Sequence, residues 1–315
     1  MYVVGIDVGG QTSKIGVVDA RGTVLAQTVI RTDNHDVVDL FIAELAEAVK
    51  KVIKEAGVDG QVRGIGVGAP NGNYYTGTIE NAPNLSWGHN RVEFAKLLSE
   101  AMGGMPVALT NDANAAAVGE MTYGAARGMK NFIMITLGTG VGSGIVINGE
   151  VVYGHDGFAG ELGHTSAVRN NGRACGCGKT GCLETYASAT GVARTAREWL
   201  ELSDEPSVLR NLDTIASKDV FDAAKDGDKL ALKIFEFTGK ILGRSFADFV
   251  AFSAPEAIVL FGGLARAKEF LNGPIEEAMN ANLLPMWRNK VKVVYSQLKE
   301  SDAAILGASA LAWEL

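Results

Sequence analysis

One pattern occurs twice in this chain, and the repetition limits the folds open to it. Residues 5–24, GIDVGGQTSKIGVVDARGTV, and residues 135–152, ITLGTGVGSGIVINGEVV, both read strand, glycine-polar turn, strand, short glycine turn, strand. β-Branched residues with glycines at the reversals mark antiparallel hairpins. An internal repeat of this kind argues for two related domains that face each other, each offering a glycine turn to one ligand. The length agrees, since 315 residues exceed the roughly 250 to 300 at which a single core stops growing. The expected fold class is therefore α/β with two domains. The first should take residues 1–112 plus a C-terminal helix at about 301–315, and the second residues 113–300.

Between the repeats the chain alternates helix and strand. Residues 36–56 carry Val38, Phe41, Leu45, Val49 and Ile53 near helical spacing and stop at Gly57, an amphipathic helix. Val62 to Pro70 returns as a strand whose alternating glycines suggest close approach of another backbone or a ligand. Asn90 to Met102 reads as a helix, and Pro106 to Thr110 as a strand that runs straight into Asn111-Asp112 and an alanine-rich helix. In an open α/β sheet ligands sit beyond the carboxyl ends of strands, which puts Asp112 in a cleft beside a positive helix terminus. Its plainer role is to cap that helix. The second glycine turn is expected over Gly138 to Gly144, followed by a strand from Ile145 to Asn148. Helices should cover Tyr186 to Leu202, the region of Asp213 to Asp226, and Lys229 to Phe252. Strands at Ala257 to Phe261 and Val291 to Val294 complete the pattern.

A glycine turn after a strand can bring N–H groups close to phosphate oxygens, and Asp7 beside the first turn could hold a magnesium ion. Ordinary hairpins use glycine as well, so it is the convergence of two such turns that favours a phosphate ligand. All three cysteines fall in one stretch, where Cys175, Cys177 and Cys182 read C-x-C-x4-C among Gly176, Gly178 and Gly181. With His164 of Glu161-Leu162-Gly163-His164 as fourth ligand they form a Cys3His zinc set, closed and therefore structural. The alternatives are buried free thiols or a disulfide. The odd count in a chain with no secretory signal argues against the disulfide. Hydrophobic residues at 47%, charged residues at 21% and a net charge of −7 describe an ordinary globular chain without a basic surface for nucleic acid. No apolar run approaches the roughly 18 residues of a membrane helix, so a cytoplasmic location without membrane partners is expected.

AGELGH at residues 159–164, joined to CGCGKTGCLE at residues 175–184, carries a resemblance that covers essentially the full length. The chain resembles the sugar kinases of the ROK group (repressors, open reading frames and kinases), bacterial glucokinases among them, within the actin-like ATPase superfamily. The resemblance implies two actin-like, ribonuclease H-like domains with a ligand cleft between them. It implies an ATP-dependent sugar kinase that phosphorylates a hexose at its 6-hydroxyl, glucose above others. Asp7, Gly9, Gly10 and Thr12 match the first phosphate turn, Gly138, Thr139 and Gly140 the second, and Gly262 with Gly263 the adenosine turn. Leu264-Ala265-Arg266 follow that pair where a small hydroxyl residue is common in relatives. Asn111 and Asp112 match the sugar-binding pair, with Asp112 the general base. Glu161, His164 and Glu184 match sugar-hydroxyl ligands, as does Asn71, which follows Pro70 where relatives often carry glycine. ATP, Mg2+ and a structural Zn2+ are the implied cofactors, and the assembly implied is a homodimer or tetramer.

Kinases for N-acetylglucosamine, N-acetylmannosamine or fructose are the nearest rival readings, because the room beside the sugar C2 cannot be read from a sequence. A sugar-responsive repressor of the same family would carry an N-terminal helix-turn-helix, for which the residues ahead of Gly9 leave no room. An actin-like structural or chaperone ATPase would need neither the sugar-type carboxylates nor the cysteines.

Overall fold

Two sheets with the same strand order face each other across a pair of helices, and small residues set how closely they do so. The structure, a computed structural model, describes the backbone of residues 1–315 and every side chain except that of Glu300. In chain order the first sheet uses β1 (Tyr2–Val8), β2 (Thr12–Asp19), β3 (Val24–Arg31), then, after α1 (Val38–Glu55), β4 (Val62–Gly68). A small ribbon of β5 (Gly72–Asn73) and β6 (Thr78–Ile79) precedes α2 (Phe94–Ala101) and β7 (Val107–Thr110). The order is β3-β2-β1-β4-β7, with β1 to β3 antiparallel and β4 and β7 parallel to β1.

After α3 (Asp112–Tyr123) the second sheet repeats this plan with β8 (Phe132–Leu137), β9 (Val141–Ile147) and β10 (Glu150–Val151). The helices α4 (Glu184–Ala187), α5 (Ala189–Leu202), α6 (Ser217–Lys225) and α7 (Lys229–Ser253) follow. The chain then runs through β11 (Ala257–Phe261), α8 (Lys268–Asn282), β12 (Lys292–Tyr295) and α9 (Glu300–Leu311). Its order is β10-β9-β8-β11-β12. The two antiparallel hairpins expected from the repeat are thus equivalent edges of two sheets. Among the described residues no helix is long and apolar enough to cross a membrane.

Period-two alternation divides β1. Val4, Ile6 and Val8 turn to the core under α1 and α2, with Phe41, Leu45 and Phe94. Val3 turns the other way, toward Ile305 and Leu306 of α9, so Gly5 and Asp7 share that inner face. A Cβ on Gly5 would lie 2.1 Å from the Ile305 carbonyl, and one on Gly66 1.9 Å from that of Ala308. Gly5 of β1 and Gly66 of β4 therefore serve the backbone of α9. Fully burying large side chains such as Ile305 contributes roughly 1.5–3 kcal/mol each, which outweighs the roughly 0.5–1 kcal/mol lost by placing glycine in a strand or helix.

Helix α3 repeats the arrangement on the second sheet. Gly144 lies where a Cβ would meet the Ala117 methyl at 2.8 Å, and α3 crosses α9 with Gly119 against Gly307, 2.7 Å from the hypothetical Cβ to Cα. Hence β9 begins at Val141 and not at Ile145, and Gly142 and Gly144 are strand residues that let α3 settle. The turn itself is confined to Gly138–Gly140. The outer face of the second sheet, including Ile133, Ile135 and Leu137, packs under α5, α7 and α8 against Phe235, Phe246 and Leu271.

The stretch expected as one helix from Tyr186 to Leu202 is broken at Ser188, whose extended backbone separates α4 from α5 and whose Oγ caps α5 by accepting from Gly191 N–H at 3.0 Å.

Candidate active site

The inner faces of β1 and β8 end on polar residues that point into the seam between the sheets. Asp7 stands at the end of β1 and pairs across the ladder with Lys14 of β2, on the same face. Burial, and next the charge of Asp112, lift the Asp7 carboxyl from 3.8 to about 6, with Lys14 opposing. Opposite, Thr136 occupies the matching place in β8, and its Oγ1 accepts from Gly142 N–H at 3.1 Å. Lys14 and Thr136 were not singled out from the sequence. The signal for Lys14 was available, since pairing the hairpin from its turn outward puts it opposite Asp7.

Asp112 opens α3, but the cap belongs to its neighbour. Asn111 Oδ1 accepts from Asn114 N–H at 2.7 Å, which leaves Asp112 as the first helical residue, its carboxylate accepting from Ala113 N–H at 2.8 Å. Water reaches the Asp112 side chain at the floor of a cleft where protein crowds on every side. Desolvation therefore raises its carboxyl, against the two backbone N–H groups that lower it. A cavity of ≈ 210 Å³ lined by Asp7, Asp112, Thr136, Phe261 and Leu298 lies along the seam. A second of ≈ 340 Å³ shares Phe261 and Leu298 and continues to Gly262, Arg266 and Lys268. Tyr295 lines it too, with a buried hydroxyl that has no hydrogen-bond partner among the described residues. Gly263 faces a neighbouring hollow with Ser217 and Phe221.

The predicted phosphate glycines differ in what demands them. Gly9 N–H donates to Thr12 O at 3.0 Å and closes the first hairpin. At Gly10 a Cβ would strike Asn84 O at 2.7 Å, so packing of a neighbouring loop explains that glycine. At Gly138 a Cβ would meet nothing within 4 Å. At Gly262 (φ 103°) a Cβ would meet Leu137 O at 2.6 Å.

The one carboxylate of the AGELGH stretch, Glu161, feels the charge of Asp112. Glu161 precedes a 3-10 turn, Leu162–His164, which β9 holds through Ser143: its Oγ donates to Gly160 O and accepts from Leu162 N–H at 3.0 Å. Burial raises the Glu161 carboxyl, His164 lowers it, and Asp112 and Glu184 raise it, so these four share one field. Asn71 adopts φ 51°, and its Nδ2 donates to Asn81 O at 2.8 Å. Glu184 is placed differently from a simple sugar ligand: Oε2 accepts from Val141 N–H at 3.0 Å, and Oε1 lies 3.8 Å from the Cys175 thiol that donates to it.

His164, Cys175, Cys177 and Cys182 bring one donor atom each to within 4.8 Å of one another. The histidine atom nearest the thiols is Nδ1, 3.7 Å from Cys175 Sγ, while Cys177 and Cys182 sulfurs are 3.7 Å apart. Burial and the neighbouring thiols push Cys182 up to about 12, so the three sulfurs cannot all ionise without a cation among them. A tetrahedral soft divalent ion fits that donor set. The knuckle is also anchored independently of any ion, because Arg173, nearly buried, stacks over the Tyr186 ring at 4.5 Å and donates to Thr185 O, Thr195 Oγ1 and Glu198.

Comparison with known proteins adds to this geometry. The model of the ROK family matches residues 3–314. A glucokinase of Halalkalibacterium halodurans is 38% identical over 311 residues, which cover 97% of this chain and 93% of that one. The crystal structure of a ROK hexokinase from Thermus thermophilus superposes with a TM-score of 0.84 at 32% identity, covering 100% of this chain and 98% of the other. A ROK glucokinase of Streptomyces griseus, solved with glucose and AMPPNP, gives 0.80 at 31% identity with 100% coverage of both chains.

Proposed function

This chain belongs to the ROK family, and from that premise we propose that it transfers the γ-phosphoryl group of ATP to the 6-hydroxyl of a hexose, glucose above others. The observation that carries the reading is that Asp7, with Lys14 beside it on the ladder, shares one cavity with Asp112 and Thr136. A phosphate chain laid along that seam would reach from Asp7 toward Gly262, whose cavity offers a polar partner in Tyr295.

Phosphoryl transfer is governed by alignment and charge neutralisation, with little covalent work left to the protein. Asp112 accepts the hydroxyl proton as the oxygen attacks. Its raised carboxyl makes it a stronger base than a freely solvated aspartate. Lys14 offsets the anionic phosphates on the side of the first turn, while Gly138 lets backbone approach them closely. Asn111, Asn71, Glu161 and the Nε2 face of His164 orient the sugar. Asp7 would hold a magnesium ion, which would offset the negative charge of the phosphates. Zinc, when bound, would fix the His164 ring through Nδ1, so that the other nitrogen presents to the sugar in one tautomer.

The test is a coupled assay of ADP release over glucose, fructose, mannose and the N-acetylhexosamines. Preference for glucose is expected. Equal rates on glucose and N-acetylglucosamine would remove the narrow assignment, and no turnover on any sugar would remove the kinase.

A further inference from the structure

The end of the cysteine knuckle grips the second glycine turn at three points. Glu184 Oε2 accepts from Val141 N–H at 3.0 Å. Ala189 N–H donates to Gly138 O at 2.9 Å, and Thr190 Oγ1 donates to Thr139 O at 2.8 Å. Each residue of the turn except Gly140 is thereby tied to residues 184–190. Gly140 bears the same imprint, because a Cβ there would fall 2.2 Å from Glu184 Oε2. That glycine is required by the approach of the carboxylate. The break at Ser188, which separates α4 from α5, is what frees the Ala189 N–H to reach the turn: inside one continuous helix that N–H would be spent on the carbonyl four residues back.

Resting on the kinase reading, we propose that Glu184 is a positioning residue for the phosphate turn, holding residues 138–141 in register from the metal knuckle, with Thr190 as its second anchor. One carboxylate then ties two elements together: Oε2 holds the phosphate turn, and Oε1 accepts from the Cys175 thiol of the knuckle. A role confined to the sugar would leave the Val141 hydrogen bond without consequence for ATP.

The two roles separate in variants of the full chain, read by KM for ATP and for sugar and by calorimetric titration with ADP. Losing a hydrogen bond to a charged acceptor costs roughly tenfold or more in affinity, so Glu184→Ala should raise the ATP KM and the ADP dissociation constant by about that factor. Glu184→Gln keeps an oxygen for the Val141 N–H, and should hold the ATP KM within about threefold of wild type while still raising the sugar KM. Thr190→Val removes only the Thr139 anchor, and should raise the ATP KM by roughly threefold to fivefold with the sugar KM within about twofold. Unchanged ATP and ADP parameters in Glu184→Ala and Thr190→Val, or equal damage from Gln and Ala at position 184, would overturn the inference. Failure of the kinase reading shows separately, as absence of sugar turnover in the wild type.

Discussion

Replacing Asp7 by asparagine should make the ligand-free protein more stable at pH 7.5 while removing its turnover. The carboxyl titrates at about 6 in the folded chain against 3.8 when free, a gap worth about 3 kcal/mol at about 1.4 kcal/mol per pH unit. The sign follows from linkage: an acid whose folded value is raised binds its proton more tightly when folded. No penalty exists below pH 3.8. It grows as pH climbs toward 6 and is complete above that. Asparagine is never charged, so the gain should be up to about 3 kcal/mol at pH 7.5 and shrink to about 1 kcal/mol at pH 4.5. Urea unfolding of both proteins at the two pH values measures it. Part of the shift comes from Asp112, so in an Asp112→Asn background the gain from Asp7→Asn should be smaller. A stabilisation that is absent at pH 7.5, or that does not diminish at pH 4.5, refutes the idea that this aspartate is held at a cost for the sake of its ligand.

Asp112→Asn should cut kcat by about 10²- to 10⁴-fold with the sugar dissociation constant changed only slightly; comparable losses in both would deny it the role of base. Chelation, or Cys177→Ala, should lower the melting temperature and weaken sugar binding measured by titration, because His164 loses the partner of its Nδ1; unchanged sugar affinity in the metal-free protein would count against the knuckle's role. Gly66→Ala should destabilise by roughly 3 kcal/mol or more, since its Cβ would sit 1.9 Å from the Ala308 carbonyl; an unfolding midpoint equal to that of the wild type would contradict the packing account.

How much was legible in the chain depended on whether a residue's partner was local. The paired hairpins were readable because strand, turn and strand are contiguous, and the sheets then repeat one order. The grouping of the cysteines was readable for the same reason, and His164 joins them as expected. The cap of α3 is a local matter too, yet the sequence offers it as the plainer role of Asp112 while Asn111 holds it, because Asp and Asn cap equally well and only the fold decides which one sits just outside the helix. Lys14 is harder to read although its partner Asp7 is seven residues away, because its place depends on the cross-strand register beyond the turn.

Glycine marks the limit most clearly. Its presence announces that something must come close, without saying what. Gly66 and Gly5 answer to α9, Gly10 to Asn84, Gly144 to Ala117 and Gly140 to the Glu184 carboxylate; among the predicted phosphate glycines only Gly138 would carry a Cβ with nothing within 4 Å of it. Contacts that distant in sequence leave no periodic trace, so a glycine-rich turn reads the same whether a helix, a carboxylate or a phosphate fills the space. The packing glycines are nonetheless part of the active site's construction. With α9 on Gly5 and Gly66, and α3 on Gly142 and Gly144, the two helices touch at Gly119 and Gly307, and that thin double layer is what brings Asp7 and Thr136, one from each sheet, to the walls of a single cavity.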